Sequence, residues 1–169
     1  MRKCYAVFFA VLSGCVGIPE NVRPVKGFDV NRYLGTWYEI ARLDHSFERG
    51  LDKVTATYSL RDDGGVRVLN KGFNTAKGEW KEAEGKAYLQ ETPDIGRFKV
   101  SFFGPFYGGY NVMALDTVHY QYAMVCGPDI SYLWILSRTP QMDKAVLDQL
   151  VGMAKSLGFD TDHLIHVTQ

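Results

Sequence analysis

From Gly35 onward the chain reads as short runs in which apolar and polar residues alternate, each run closed by a turn signal. Alternation of period two is the mark of a strand with one buried face. Gly35–Arg42 opens with a permissive glycine and places Trp37 two positions later, which suits a sharp strand start that drops a flat ring into a core. In residues 54–60, Val54, Ala56, Tyr58 and Leu60 share a face, and Asp62-Asp63-Gly64-Gly65 predicts a hairpin turn into Val66–Asn74. Residues 74–78 turn again into a run at 79–90, where Ala83, Gly85 and Ala87 alternate with Glu82, Glu84 and Lys86. In Arg97–Phe103 the side chains of Phe98, Val100 and Phe102 oppose Arg97, Lys99 and Ser101. Runs at 110–115, 119–126 and 132–138 complete eight candidates, and in the last two both faces are apolar, so their parity stays open.

After Arg138 the period lengthens. Val146, Leu147, Leu150, Val151, Ala154 and Leu157 recur at three and four residues, predicting an amphipathic helix entered at Thr139-Pro140 and closed by Gly158. Residues 163–167 are expected to add an edge strand. Before the first strand, Asp29 is a cap for a short helical turn whose Phe28, Tyr33 and Leu34 seal one end of the core.

Consecutive antiparallel strands with short connections close most simply into a barrel, because closure removes unpaired edges. The expected fold is therefore all-β: an eight-stranded antiparallel up-and-down β-barrel with one C-terminal α-helix packed outside. Eight strands leave room for one small ligand. The inward positions Ala56, Tyr58, Phe98, Val100, Phe102, Tyr110, Val112 and Trp134, with Gly72, Ala83, Gly85, Ala87 and Ala114 as further small residues, would line a cavity suited to an acyl chain. If Trp37 marks the closed end, the mouth is formed by 43–52, 74–78, 104–109 and 127–131. Phe47, Phe106 and Tyr107 are then rim residues, and His45, Arg49 and Lys77 are candidates to meet an anionic head group.

The chain of 169 residues has room for one domain, and its formal net charge of zero comes from interspersed signs, which leaves no footprint for nucleic acid. The N-terminus is a targeting segment. Arg2 and Lys3 precede an apolar run at 5–12, and small residues lead directly into Cys15. Leu12-Ser13-Gly14-Cys15 resembles a bacterial lipobox, and that resemblance implies the expected divisions: a signal peptide over 1–14, a lipidated tether over 15–27 and a barrel domain over 28–169. With Cys4 removed and Cys15 modified, Cys126 is left alone, and no disulfide is available. His163 and His166 lack further ligands, so neither metal nor cofactor is expected.

The guanidinium of Arg138, at the end of the last strand-like run, is suited to stacking on the Trp37 ring. Gly35-x-Trp37, the Tyr120-Gln121-Tyr122 segment and Arg138 together resemble the lipocalin signature, over 28 to the C-terminus. With Ala56-Thr57-Tyr58-Ser59-Leu60 and Trp134 to Pro140 they look most like bacterial lipocalins, lipoproteins similar to apolipoprotein D. The resemblance implies cleavage before Cys15, acylation of that residue, and a place in the outer membrane facing the periplasm. It also implies a fatty acid or lysophospholipid as guest, in maintenance of the cell envelope. The oligomeric state stays open, a homodimer included. Catalysis is not expected: nucleophile and metalloprotease motifs are missing, and an inward Glu39 is expected to pair with a nearby Arg or Tyr. The alternative is a scaffold lipoprotein with a filled barrel that binds a protein partner through Phe106 and Tyr107. A tether leaving the closed end would point the mouth away from the anchoring membrane.

Overall fold

The computed structural model describes residues 16–169, so Cys15 and the signal segment lie outside the described residues. Eight strands follow in chain order: β1 (Gly35–Arg42), β2 (Leu51–Leu60), β3 (Val66–Asn74), β4 (Glu79–Leu89), β5 (Arg97–Phe103), β6 (Phe106–Leu115), β7 (Tyr122–Cys126) and β8 (Leu133–Ser137). Each pairs antiparallel with the next and β8 returns to β1, closing the barrel. A short helix α1 (Val30–Tyr33) precedes them, capped by Asp29, whose carboxylate accepts from Asn31 N.

A ninth strand, β9 (Ile165–His166), pairs with the second half of β1, where β2 has diverged from it. Lys53 N donates to Thr168 O, and Gln169 Nε2 donates to both Glu39 O and Val54 O. Residues 165–169 thus fill a wedge between β1 and β2 and satisfy backbone groups that would otherwise be orphaned.

The helix α2 (Lys144–Ser156) starts later than Pro140, because Asp143 accepts from the N–H groups of Ala145 and Val146 and so sets the N-cap. Strand β6 starts earlier than expected: the anticipated mouth loop 104–109 shrinks to a turn at Gly104 and Pro105, with Phe103 paired to Phe106. Strand β7 starts later, at Tyr122, since the Asp116 carboxylate gathers the N–H groups of Val118, His119 and Gln121 into a turn.

The open parities are settled by packing. Ala123, Val125, Trp134 and Leu136 face the barrel interior, while Met124, Cys126, Leu133 and Ile135 join Leu150, Ala154 and Phe159 in a second core under α2. A bulge between Val112 and Ala114 turns Ala114 outward into that second core, against the expectation that it would face in.

Residues 16–27 are not a free tether. Val25 N donates to Val112 O, Gly96 N to Val25 O, Phe28 N to Asp94 O, and Val22 is buried with Ile18 against the outer core. Further back, Asn111 Nδ2 donates to Gly17 O, and a Cβ on Gly109 would lie 2.4 Å from that same oxygen. The segment is a strap along the wall of β6, because its backbone groups and apolar side chains find partners there.

Candidate functional site

One end of the barrel is shut by the motif residues. The Arg138 guanidinium carbon lies 3.9 Å from the Trp37 ring centroid, and its nitrogens donate to the carbonyls of Thr36, Arg32 and Tyr120. Gly35 has φ +94°, and a Cβ there would come 3.3 Å from Arg138 Nη1, so both conformation and space favour glycine. Trp37 is fully buried and donates from Nε1 to Tyr33 O, while Tyr120 accepts on its hydroxyl from Asp29 N. Loops, strand ends and α1 are thereby knotted into one floor.

Above this floor lies an open chamber of about 680 Å³, within the range of small-molecule sites. A barrel with side chains filling its interior, the alternative entertained from sequence, is overturned by this space. Of the expected lining, Ala56, Tyr58, Phe98, Val100, Phe102, Tyr110 and Trp134 border it, as do Phe47, Phe106 and Tyr107 toward the mouth. Val112 does not. It is fully buried in the inner core and lies outside the cavity lining. Ala83 and Ala87, expected to face inward, line it too, and the lining adds Val66, Val68 and Leu136, which follow from strand parity once register is known.

Three phenols meet in the lower wall. Tyr110 Oη lies 2.8 Å from both Tyr33 Oη and Tyr58 Oη. Burial raises all three pKa values, so the rings are neutral. Three O–H groups share two hydrogen bonds, which leaves one donor over for a guest or a water.

The other polar feature of the wall was only half visible in the sequence. Glu39 and Glu48 both line the chamber and are both buried. Arg42 Nη1 donates to Glu39 Oε1 at 2.8 Å, and Nη2 donates to the carbonyls of Glu48 and Leu51. In a regular strand residues three apart point to opposite faces. A bulge in β1 between Glu39 and Ala41 brings Arg42 back beside Glu39. Trp134 Nε1 donates to Glu48 Oε2 at 3.0 Å. Burial, then the neighbouring Glu48, pushes the Glu39 carboxyl up to about 8, and burial also raises Glu48. Nothing among the described residues donates to the second Glu39 oxygen.

Two expected rim residues are elsewhere. His45 is buried between Phe47 and Trp134, with ring centroids 4.1 and 5.0 Å away. Its Nε2 lies 3.1 Å from Glu48 Oε2 without the alignment of a hydrogen bond. Burial and then Arg42 push its pKa down to about 4, so it is neutral and offers no charge to an anionic head group. Arg49 is exposed and clasped by the Asp44 carboxylate, outside the cavity lining. Sequence order put both in the mouth loop, but the loop folds His45 inward and Arg49 away.

Cys126 is buried, and burial pushes its thiol up to about 12. The folded protein is expected to resist maleimide at neutral pH and to react at this position when unfolded by guanidinium. Rapid labelling of the native state would contradict the burial.

A family model for a lipocalin-like domain matches residues 28–169. The outer membrane lipoprotein Blc of Vibrio cholerae is 56% identical over 170 residues, covering 100% of this chain and 99% of the relative. The protein of the same name from Escherichia coli is 57% identical over 164 residues, 97% and 92% of the two chains. Among solved structures, insecticyanin from Manduca sexta superimposes with a TM-score of 0.72 at 25% identity, covering 90% of this chain and 87% of that one. With a closed eight-stranded barrel, a capped floor and an open chamber, the chain belongs to the lipocalin family.

Proposed function

We propose that the protein is a lipid-anchored lipocalin of the outer membrane that takes the acyl chain of a lysophospholipid into its barrel, in maintenance of the cell envelope. The carrying observation is the chamber of about 680 Å³, whose wall is apolar except for the tyrosines, Thr55, Asn70, Glu39 and Glu48. The small residues before Cys15 and the name shared by the two relatives, outer membrane lipoprotein, support the anchor and the location. Among the described residues no Lys or Arg lines the chamber, so the carboxylate of a free fatty acid has no cation to meet inside. In a lysophospholipid the acyl chain ends in an uncharged ester and glycerol, which suit a wall with two buried acidic side chains better than a carboxylate does, while its phosphate sits farther along the head, toward the mouth. The role is binding rather than catalysis: the Cys126 thiol is held protonated, and Glu39 is tied to Arg42.

Titration with a lysophospholipid bearing an ethanolamine head should change the fluorescence of Trp134, which borders the chamber, and palmitate should bind less tightly at pH 7. Val100→Trp, placed in the wall, is expected to weaken binding by about tenfold or more, equivalent to ~1.4 kcal/mol, by occupying chain space. An unchanged Trp signal, together with no lipid in solvent extracts of the purified protein, would overturn this reading.

A further inference from the structure

The strap of residues 16–28 has a direction. Phe28 lies beside Asp94 at the closed end, Val25 beside Val112 further along, and Gly17 beside Gly109 and close to the carbonyl of Pro128. Gly109 and Pro128 border the chamber toward its mouth. The chain therefore runs backward from floor to mouth, and Cys15 is two residues beyond Gly17, at most ~7 Å along the backbone. Gly109 is three residues from Phe106 at the hairpin tip and six from Leu115, so the tip is ~10 Å away and the far end of β6 ~20 Å. The expectation that the mouth points away from the anchoring membrane rested on a tether leaving the closed end, and the described strap leads to the open end instead.

A second observation lies on the same end. Phe103 is 82% exposed, Phe47 62%, Phe106 60% and Ile130 49%, all on the loops and strand ends around the mouth. Charges of both signs accompany them, Asp44, Arg49, Lys77 and Asp129 among them, so no basic patch draws this end toward anionic lipid. The surface is an apolar rim around an apolar chamber. Exposed apolar patches of this kind mark contact with protein or membrane, and the position of the strap selects the membrane.

We propose that the mouth is seated on the bilayer that holds this chain's own lipidated Cys15, with Phe47, Phe103, Phe106 and Ile130 entering the lipid. The proposal rests on the reading that Cys15 is acylated. It gives the anchor a purpose beyond retention: a guest passes between leaflet and chamber without crossing water, and a strap bonded to β6 keeps the barrel from turning over. Attachment of the rim is apolar and is expected to be insensitive to salt.

The test uses the full lipidated chain in vesicles of phosphatidylethanolamine and phosphatidylglycerol that carry quenchers on their acyl chains. An environment-sensitive fluorophore is placed on Phe106→Cys or, at the opposite end, on Val118→Cys, which is 67% exposed in the turn after β6. Cys126 does not compete, being buried, and both substitutions are at the surface, where folding is little affected. Quenching several-fold stronger at position 106 than at 118, unchanged in high salt, is the expected result. Equal quenching, or stronger quenching at 118, overturns the orientation. Mass spectrometry of the same sample separates the two readings: an unacylated Cys15 fails the anchor and the proposal with it, whereas an acylated chain without quenching at 106 fails the orientation alone. Cross-linking between copies through position 106 in place of quenching assigns the rim to a second copy and also overturns the proposal.

Discussion

Trp37→Ala is expected to lower the folding stability by about 3–5 kcal/mol, the usual cost of deleting a large buried aromatic side chain. The position gives reason to expect the upper part of that range. The indole is fully buried, lies 4.8 Å from the Tyr33 ring between centroids, donates to Tyr33 O and carries the Arg138 guanidinium on its face. Its loss leaves a cavity, an orphaned Tyr33 carbonyl and an Arg138 guanidinium without the ring it stacks on. For a domain of this size the midpoint of thermal unfolding should fall by roughly 10 °C or more, at ~2–4 °C per kcal/mol. Circular dichroism melts of the two proteins decide the matter. A shift of only a degree or two would mean that the floor does not depend on the indole. Arg138→Met keeps much of the bulk over the ring while removing the donors to three carbonyls, and should fall between the variant and the parent.

The second large effect concerns Arg42. It donates to the buried Glu39 carboxylate and to the Glu48 and Leu51 carbonyls, and its charge also favours ionisation of the buried Glu48 carboxyl, so Arg42→Ala leaves both carboxyls without a cation. Breaking a buried pair by removing one partner costs about 3–5 kcal/mol, because the other charge stays uncompensated. Carboxyls can escape that cost by taking up protons, so the loss should be greatest near pH 8 and smaller near pH 5.

The parent protein carries the same logic in milder form. Glu39 is raised from 4.5 to about 8 on folding, so between those values the folded state holds a proton that the unfolded state has lost, and stability falls as pH rises. Glu48, also raised, acts in the same direction. His45 is lowered from 6.5 to about 4, so between those values the unfolded state holds the extra proton, and stability rises with pH. Between about 4.5 and 6.5 the His45 slope opposes that of Glu39, with Glu48 adding to the carboxyl side, and above 6.5 the carboxyl effect stands alone up to about 8. Urea midpoints should therefore be lower at pH 8 than at pH 6.5, and Glu39→Gln should flatten that decline. A decline of the same size in Glu39→Gln would show that another group causes it.

Much of the barrel could be read from residues in order. The alternation of Phe98, Val100 and Phe102, the turn at Asp62 to Gly65 and the three- and four-residue spacing of α2 are local patterns whose physics operates within one element. The floor was legible for another reason. Gly35, Trp37 and Arg138 are residue types with few alternative uses at strand ends, so their joint presence carried information across about a hundred positions.

What could not be read depended on events between elements. Bulges in β1 and β6 change the face of every residue beyond them, which is why Arg42 came in beside Glu39 and Ala114 went out. The burial of His45 follows from the path of a loop over Trp134, and no property of the loop's own residues specifies that path. The run that ends at Cys126 offers two apolar faces, and only the docking of α2 decided which side of β7 it would cover.

The sequence by itself determined the class of fold and the residues that would shut one end, because periodicity, side-chain volume and turn chemistry are carried within short stretches, whereas the choice between a filled and a hollow interior waited on how the strands close and pack. The tertiary structure alone decided which end the N-terminal segment reaches and which charges share the chamber wall. Strap and wall meet through backbone hydrogen bonds, such as those of Val25 with Gly96 and Val112, and backbone donors and acceptors are the same for nearly every residue type, so composition does not announce them.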